Sequence, residues 1–153
     1  MLLAEEEPVK VLEKCFGYTL FLWKQEEIIR HVLGKKHALV VAPTGIGKSL
    51  CYQIPAIIND DLTVVISPLI ALMKDQVDAL KRRGIDAAYI NSSLGREKRE
   101  TRYAALKNGG YRIIYVTPER FRKIDFTEAI AGRRINLLAV DEAHCISEWG
   151  HDF

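Results

Sequence analysis

The chain has 153 residues, of which 48% are hydrophobic and 27% are charged, which suits one globular domain and excludes a disordered chain. A formal net charge of +2 neither requires nor excludes a nucleic-acid partner. Three scattered cysteines without Cys-x-x-Cys spacing predict reduced thiols, and we expect a cytoplasmic protein of a prokaryote or a nuclear protein of a eukaryote, with no secretion signal and no membrane span.

Two amphipathic helices are predicted at the start, separated by an aromatic loop. The first covers residues 5–16 and the second covers residues 25–33, and each ends at a glycine. The loop between them carries three aromatic side chains, Tyr18, Phe21 and Trp23. These rings either cap the core or form a pocket for a base, in which case Gln25 would read the edge of that base.

An apolar strand, a glycine turn and a helix are predicted between residues 38 and 58. The strand covers residues 38–42, and the helix begins near Lys48. Such a turn cradles phosphate with its backbone N–H groups, while the lysine reaches the β- and γ-phosphates and the serine hydroxyl ligates Mg²⁺. The pattern G-x-x-x-x-G-K-[ST] asks for glycine where this chain has Ala42. We still predict a nucleotide phosphate site rather than an ordinary glycine turn, formed by Thr44, Gly45, Ile46, Gly47, Lys48 and Ser49.

Strands alternate with helices through the rest of the chain. The strands are predicted at residues 62–67, 86–90, 111–117 and 135–140. The helices between them are predicted at residues 69–83, 95–107 and 119–131. This order predicts one α/β domain, residues 1–153, with a parallel sheet and helices on both faces. The middle helix is basic, because it carries Arg96, Lys98, Arg99 and Arg102. We interpret this charge as a solvated helix face rather than a phosphate-binding strip.

The last predicted strand delivers two carboxylates, Asp141 and Glu142, at the edge where open parallel sheets bind ligands. Asp141 can hold Mg²⁺ through its water shell, and Glu142 can orient the water that attacks the γ-phosphate. In an isolated acidic pair, the aspartate could instead simply cap a helix. The phosphate loop upstream makes this capping interpretation weaker than the catalytic one.

Two other possibilities concern the residues after this acidic pair. A zinc site is disfavoured because no tetrahedral template fits the spacing of His144, Cys145, His151 and Asp152. Trp149 and Phe153 with His151 indicate an exposed aromatic loop. Such a loop either stacks on single-stranded bases or simply packs against the protein.

Taken together, these motifs resemble those of the first RecA-like lobe of a RecQ-family DNA helicase in superfamily 2. FGYTLFLWKQEEII resembles the adenine-reading motif of that family, and APTGIGKSLCYQIPA resembles its motif I, in which a small residue in place of the first glycine is common. SPLIALMKDQV and YVTPER resemble its nucleic-acid-facing motifs. DEAH occurs across the superfamily, whereas the extension CISEWGHDF is specific to this family.

The resemblance implies an ATP-driven, Mg²⁺-dependent motor that unwinds DNA from 3′ to 5′ in repair and recombination. It assigns ATP contacts to Tyr18, Gln25, Thr44, Gly45, Ile46, Gly47, Lys48 and Ser49. It assigns catalysis to Lys48, Asp141, Glu142 and His144, and the metal to Ser49 and Asp141. It assigns the DNA path to Ser67, Pro68, Leu69, Thr117, Pro118, Trp149 and Phe153.

Two departures from the family pattern limit this expectation. Leu22 stands where the family usually has an arginine that helps to hold adenine, so base affinity is expected to be weaker. The resemblance also places the rest of the aromatic loop, further strands and a second lobe with an arginine finger beyond Phe153. We therefore expect these residues alone to bind nucleotide poorly to moderately, to hydrolyse almost none and to unwind nothing. The rival hypotheses are a nucleotide- or single-strand-binding module without turnover, and another P-loop enzyme such as a kinase.

Overall fold

The structure, a computed structural model, describes residues 7–147. The chain divides into two compact units, residues 1–60 and residues 61–153, which are taken in turn. The assignment of residues 1–153 to a single domain stays a prediction.

The first unit is helical. Helix α1, Pro8–Val11, continues into a π-helical turn, Leu12–Phe16, which Gly17 ends in the left-handed conformation with φ 75°. Helix α2 is Gln25–Leu33 and helix α3 is Leu50–Ile58, and both α1 and α2 contact α3. Fully buried aliphatic side chains come from all these segments: Val11, Leu12, Ile29 and Ile54. The predicted helices before residue 34 are therefore confirmed within the described residues.

The strand predicted at residues 38–42 is wrong. Residues 36–43 form neither helix nor strand, and the side chains of Leu39 and Val41 are 86% and 83% exposed. An apolar run becomes a strand only where a neighbouring strand satisfies its backbone N–H and C=O groups. The sheet that the structure describes takes none of its strands from this segment. The following helix begins at Leu50, two residues after Lys48, near which its start is predicted.

The second unit is built on a four-stranded parallel sheet. Its strands are β1, Leu62–Ile66; β2, Ala87–Ile90; β3, Ile113–Val116; and β4, Ile135–Val140. They lie in the order β2-β3-β1-β4, and every neighbouring pair is parallel. The connections contain helices α4, Ile70–Arg82; α5, Arg96–Lys107; α6, Pro118–Phe121; and α7, Ile124–Ile130. A 3₁₀ turn, Ala143–Ser147, follows β4.

Helices cover both faces of this sheet, as predicted. On one face, alternate residues of β1, β2 and β3 form a buried apolar cluster with Leu106 of α5 and with Phe126 and Ala129 of α7. Tyr115 points to the opposite face, because successive side chains of a strand alternate, and there it lines a cavity with Met73 of α4. The α/β fold with a doubly covered parallel sheet is therefore confirmed.

The helix predicted at residues 119–131 is instead two short helices. Lys123 between them is extended, with φ −75° and ψ 137°, and starts α7 afresh. In one continuous helix Phe121 and Phe126 would lie about 140° apart around the axis. The interruption brings their ring centroids to 5.7 Å, so that both pack against the same core cluster.

Arg133 joins the end of α5 to the start of β4. Its guanidinium donates to the carbonyl oxygens of Leu106 at 2.7 Å, Gly110 at 2.6 Å and Tyr111 at 3.2 Å. A cation at a helix C-terminus also interacts favourably with the helix dipole. Arg133 therefore ties the last turn of α5, at Leu106, to the segment that follows the helix, at Gly110 and Tyr111.

We expect Arg133→Ala to lower the free energy of unfolding by about 2 kcal/mol, because hydrogen bonds to a charged group are lost together. Urea denaturation followed by circular dichroism measures this change. Arg134→Ala is the matched control, because the Arg134 side chain is 89% exposed and only approaches Asp61 at 3.7 Å. Equal losses of stability in the two variants would contradict the capping role of Arg133.

Candidate functional site

The predicted phosphate loop of the first unit, residues 44–49, contains two glycines in the left-handed conformation. Gly45 and Gly47 both have positive φ, 84° and 73°, which side-chain-bearing residues rarely adopt. The turn then tightens into α3, with the N–H of Leu50 donating to the Gly47 carbonyl at 3.2 Å and that of Cys51 to the Lys48 carbonyl at 3.0 Å. Loops of this kind present several N–H groups to one anion.

Lys48 lies across this turn. Its ammonium group donates to the carbonyl oxygen of Ala42 at 3.2 Å, so the side chain folds back over the loop. A half-buried ammonium held in this way is placed to exchange a neutral carbonyl for the charged oxygens of a phosphate. The structure therefore brings Lys48 together with the loop as the sequence predicted.

Gln25 is tied to the same loop. Its amide donates to the carbonyl oxygens of Ile46 at 2.8 Å and Gly47 at 3.0 Å, and its own oxygen accepts the N–H of Leu22 at 2.7 Å. The side chain is buried. These loop contacts were not predicted from the sequence, which suggested only that Gln25 reads a base.

The aromatic loop before α2 is largely exposed. Tyr18 and Trp23 are 57% and 55% exposed, and Leu22 between them is also exposed. Rings that are this exposed do not cap the core, so the core-capping interpretation of this loop is not supported for Tyr18 and Trp23. The base-pocket interpretation stays a prediction.

Cys51 follows the phosphate loop but is not poised as a nucleophile. Burial raises the pKa of the Cys51 thiol from 9.0 to about 11. Because the thiolate is the reactive form, we expect iodoacetamide at pH 8 to modify Cys51 about a hundredfold more slowly than an exposed cysteine. Mass spectrometry of the Cys51 peptide measures the rate, with the urea-unfolded chain as the reference. Similar rates in the folded and unfolded chains would contradict the burial.

The acidic pair of the second unit sits where the sequence placed it, at the carboxyl end of β4. The N–H of Asp141 donates to the Ile66 carbonyl at 2.8 Å, which continues the pairing of β4 with β1. Glu142 has a positive φ of 53°, a conformation uncommon outside glycine. Its N–H donates to the Asp141 carboxylate at 2.9 Å. This bond supports a local turn, so the capping interpretation of Asp141 is compatible with its position.

His144 lies beside Glu142. The imidazole Nε2 is 3.3 Å from a carboxylate oxygen of Glu142, and the pair is ionic only when the histidine is protonated. The 3₁₀ turn that carries His144 begins directly after Glu142. Two of the predicted catalytic residues are thus in contact.

A cavity at this edge of the sheet joins the acidic pair to the segment after β1. The residues that line it are Ser67, Leu69, Leu72, Met73, Gln76, Tyr115, Asp141 and Glu142. Two residues predicted for the nucleic-acid path therefore share a cavity with the two carboxylates. Tyr115 and Gln76 were missed as site residues, although a glutamine within the apolar stripe of α4 was a signal of a polar contact.

Residues predicted to face DNA differ in their accessibility. Leu69 is exposed, and Pro68 is half-buried. Ser67, Thr117 and Pro118 are buried, and the Ser67 hydroxyl accepts the N–H of Leu69 at 3.3 Å. Direct DNA contact through these buried side chains stays a prediction. Trp149 and Phe153, also predicted for this path, lie outside the described residues.

The basic residues of α5 are largely engaged within the protein. Arg96 pairs with Glu100 at 2.6 Å, and Arg99 donates to the Leu94 carbonyl at 3.1 Å. Arg102 stacks over the Tyr89 ring and donates to the Tyr89 carbonyl. These contacts favour the structural interpretation over a phosphate-binding strip.

The described residues offer no alternative metal centre. Within residues 7–147, no group of three or more histidine, cysteine, aspartate or glutamate side chains is placed to hold a metal ion. His151 and Asp152, part of the zinc possibility, lie outside this range. Among the same residues, no helix is long and apolar enough to cross a membrane.

Sequence comparison identifies close relatives. The chain is 51% identical over 144 residues to the ATP-dependent DNA helicase RecQ of Bacillus subtilis, covering 94% of this chain and 24% of that protein. It is 50% identical over 145 residues to the RecQ of Haemophilus influenzae, covering 95% of this chain and 23% of that protein. The predicted resemblance to RecQ helicases is confirmed. The chain spans about a quarter of the length of these curated relatives.

Structure comparison supports the fold. A hypothetical ATP-dependent RNA helicase from Sulfolobus tokodaii matches with a TM-score of 0.75 at 21% identity, covering 96% of this chain and 45% of that chain. The helicase MrfA bound to DNA and AMPPNP matches with a TM-score of 0.69 at 20% identity, covering 94% of this chain and 22% of that chain. A sequence model described as DEAD/DEAH box helicase matches residues 24–153. The chain therefore belongs to the DEAD/DEAH box helicase family.

Proposed function

We propose that this chain is the ATP-binding lobe of a RecQ-like DNA helicase that couples ATP hydrolysis to 3′→5′ unwinding in DNA repair and recombination. The observation that carries the proposal is the glycine loop with Lys48 folded across it, in a chain about half identical to RecQ helicases. The three scattered cysteines support a prokaryotic cytoplasm or a eukaryotic nucleus as the location of the complete protein.

The residues of the phosphate loop bind and orient the nucleotide. Thr44, Gly45, Ile46 and Gly47 supply backbone N–H groups to the phosphates, and Lys48 supplies a positive charge. Tyr18 and Gln25 are assigned to the adenine, with Leu22 weakening that contact. The left-handed conformations of Gly45 and Gly47 support the assignment of the loop to the phosphates.

The oxygen ligands Ser49 and Asp141 are assigned to Mg²⁺, whose preference for hydroxyl, carboxylate and water oxygens fits this donor set. A Mg²⁺ ion held by these oxygens would supply positive charge to the phosphates. Glu142 then holds and polarises the attacking water, and its carboxylate accepts the proton. His144, at 3.3 Å from Glu142, links this carboxylate to the DNA-facing side.

The DNA path is assigned to the loops after β1 and β3 together with the residues beyond Ser147. Ser67, Pro68 and Leu69 form the first loop, and Thr117 and Pro118 form the second. Their partner is single-stranded DNA at a duplex junction. Trp149 and Phe153 are assigned to stacking on the bases of this strand.

The chain by itself is proposed to lack turnover. Its relatives are about four times longer, and the resemblance places an arginine finger in a second lobe. Such a finger contributes about 10³–10⁵-fold to rate in related phosphoryl-transfer systems. A binding module without turnover is therefore the second candidate for these residues alone.

The experiment that tests the proposal is a chimaera in which this chain replaces the matching segment of the Bacillus subtilis helicase. The two segments are 51% identical, so the graft preserves many of the contacts with the rest of that protein. We expect the purified chimaera to hydrolyse ATP, to be stimulated by single-stranded DNA and to unwind a duplex with a 3′ overhang. A folded chimaera that binds ATP and DNA but shows no DNA-stimulated hydrolysis would contradict the proposal.

A further inference from the structure

Tyr115 of β3 lines the cavity beside the acidic pair. The residue is only 2% exposed, so its ring belongs to the interior of the second unit. A buried tyrosine hydroxyl ordinarily has a hydrogen-bond partner, because leaving it without one costs free energy. The cavity has a volume of about 30 Å³, which is room for about one water molecule. Polar groups that line so small a space meet directly or through a single water.

The strand register places Tyr115 and Asp141 on the same face of the sheet. Tyr115 lies opposite Val65 of β1, and Val65 lies opposite Ala139 of β4, so these three residues share a face. Asp141 follows Ala139 by two positions, and side chains two positions apart along a strand point to the same face. Because Tyr115 and Asp141 line one small cavity, their side chains approach each other across β1.

The orientation of the Asp141 carboxylate affects Glu142 directly. One oxygen of this carboxylate accepts the N–H of Glu142 at 2.9 Å, and that bond supports the left-handed backbone of Glu142, with φ 53°. Among the described residues that line the cavity, none carries a positive charge. The donors that the cavity offers to the two carboxylates are therefore neutral ones.

Three neutral side chains that line the cavity can donate a hydrogen bond: Ser67, Gln76 and Tyr115. The Ser67 hydroxyl serves the turn into α4, where it accepts the N–H of Leu69 at 3.3 Å. Gln76 is half-buried and has a longer, more flexible side chain. Tyr115 is buried in a central part of the sheet and has only two rotatable side-chain bonds. Its hydroxyl is therefore the donor with the most fixed position.

We propose that Tyr115 is a positioning residue of the acidic pair. Its hydroxyl donates to the Asp141 carboxylate, directly or through one water in the cavity, and so fixes the direction in which Glu142 points. The inference deepens the proposed function and rests on it, because Glu142 is assigned to the water that attacks the γ-phosphate. In this role Tyr115 contacts neither the nucleotide nor the metal, so it affects the chemical step rather than the binding of ATP.

Tyr115→Phe in the chimaera tests this inference, because the substitution removes one hydroxyl and keeps the ring. We expect kcat for ATP hydrolysis to fall about tenfold, while the affinity for a fluorescent ATP analogue stays within about twofold. Tyr103→Phe is the matched control, since the Tyr103 ring of α5 packs against the core cluster on the opposite face of the sheet. This control is expected to leave both the rate and the affinity unchanged.

A double-mutant cycle with Glu142→Gln separates positioning from a general loss of structure. If the Tyr115 hydroxyl acts through Glu142, its removal should have little further effect once Glu142 is replaced, as measured by single-turnover hydrolysis. The inference is overturned if Tyr115→Phe keeps the full rate, or slows hydrolysis equally in the Glu142→Gln background, or weakens nucleotide binding by the same factor. Equal slowing by Tyr103→Phe would also overturn it. If the unaltered chimaera shows no DNA-stimulated hydrolysis, the proposed function fails and the inference fails with it.

Discussion

Glu142→Gln in the chimaera is expected to reduce ATP hydrolysis by about 10²–10⁴-fold while leaving ATP affinity nearly unchanged. The substitution keeps the size of the side chain but removes the carboxylate that accepts the proton of the attacking water. The contact with His144 at 3.3 Å can then no longer be an ion pair. Steady-state hydrolysis and equilibrium binding of a fluorescent ATP analogue together measure the two quantities.

Glu128→Gln provides the control for this prediction. Glu128 is an exposed glutamate of α7, and its backbone carbonyl accepts the N–H of Ala131 at 3.4 Å. Glu128→Gln removes the same negative charge as Glu142→Gln, and the chimaera that carries it should keep its full rate of ATP hydrolysis. If Glu142→Gln retained more than about a tenth of the rate, Glu142 would not be the residue that activates water.

Lys48→Ala is expected to have the second-largest effect, a loss of about 10–100-fold in ATP affinity, because charge-assisted hydrogen bonds to the phosphates disappear. Hydrolysis by the chimaera at low ATP concentration should fall with it. This variant therefore differs from Glu142→Gln, which affects the chemical step and spares binding. Fluorescence titration of the chimaera gives the affinity directly.

Lys36→Ala is the matched control for Lys48→Ala. Lys36 is an exposed lysine that precedes the phosphate loop, so its removal changes net charge equally without touching the loop. Its ATP affinity should stay within about twofold of the unaltered protein. If both lysine variants lost affinity to the same extent, general electrostatic attraction rather than the Lys48 contact would explain the binding.

Most of the fold could be predicted because its signals are local. Four β-branched or apolar runs bounded by proline, glycine or polar residues became the four strands, and β4 has the predicted bounds, Ile135–Val140. The failed strand at residues 38–42 has the same local pattern but lacks a paired neighbour. The β-branched run of β1 predicts a buried strand, and β1 is buried throughout, whereas β4, at the edge of the described sheet, has exposed side chains.

The candidate site could be predicted where motif spacing encodes it and not where distant segments meet. Lys48 and Glu142 followed from short motifs with known chemistry. Gln25 contacts Ile46 and Gly47, which follow it in the sequence by 21 and 22 positions. Nothing in the local sequence indicates which carbonyls a glutamine will bind. The cavity that joins Leu69 to Asp141 likewise depends on the order of strands in the sheet.

The measurement that tests the central claim most directly is titration of the 153-residue chain with a fluorescent ATP analogue in the presence of Mg²⁺. We predict saturable binding that excess ATP displaces and that Lys48→Ala weakens, which would show that the phosphate loop forms in these residues despite Leu22. Absence of saturable binding by a chain that circular dichroism shows to be folded would contradict the claim that this is an ATP-binding lobe.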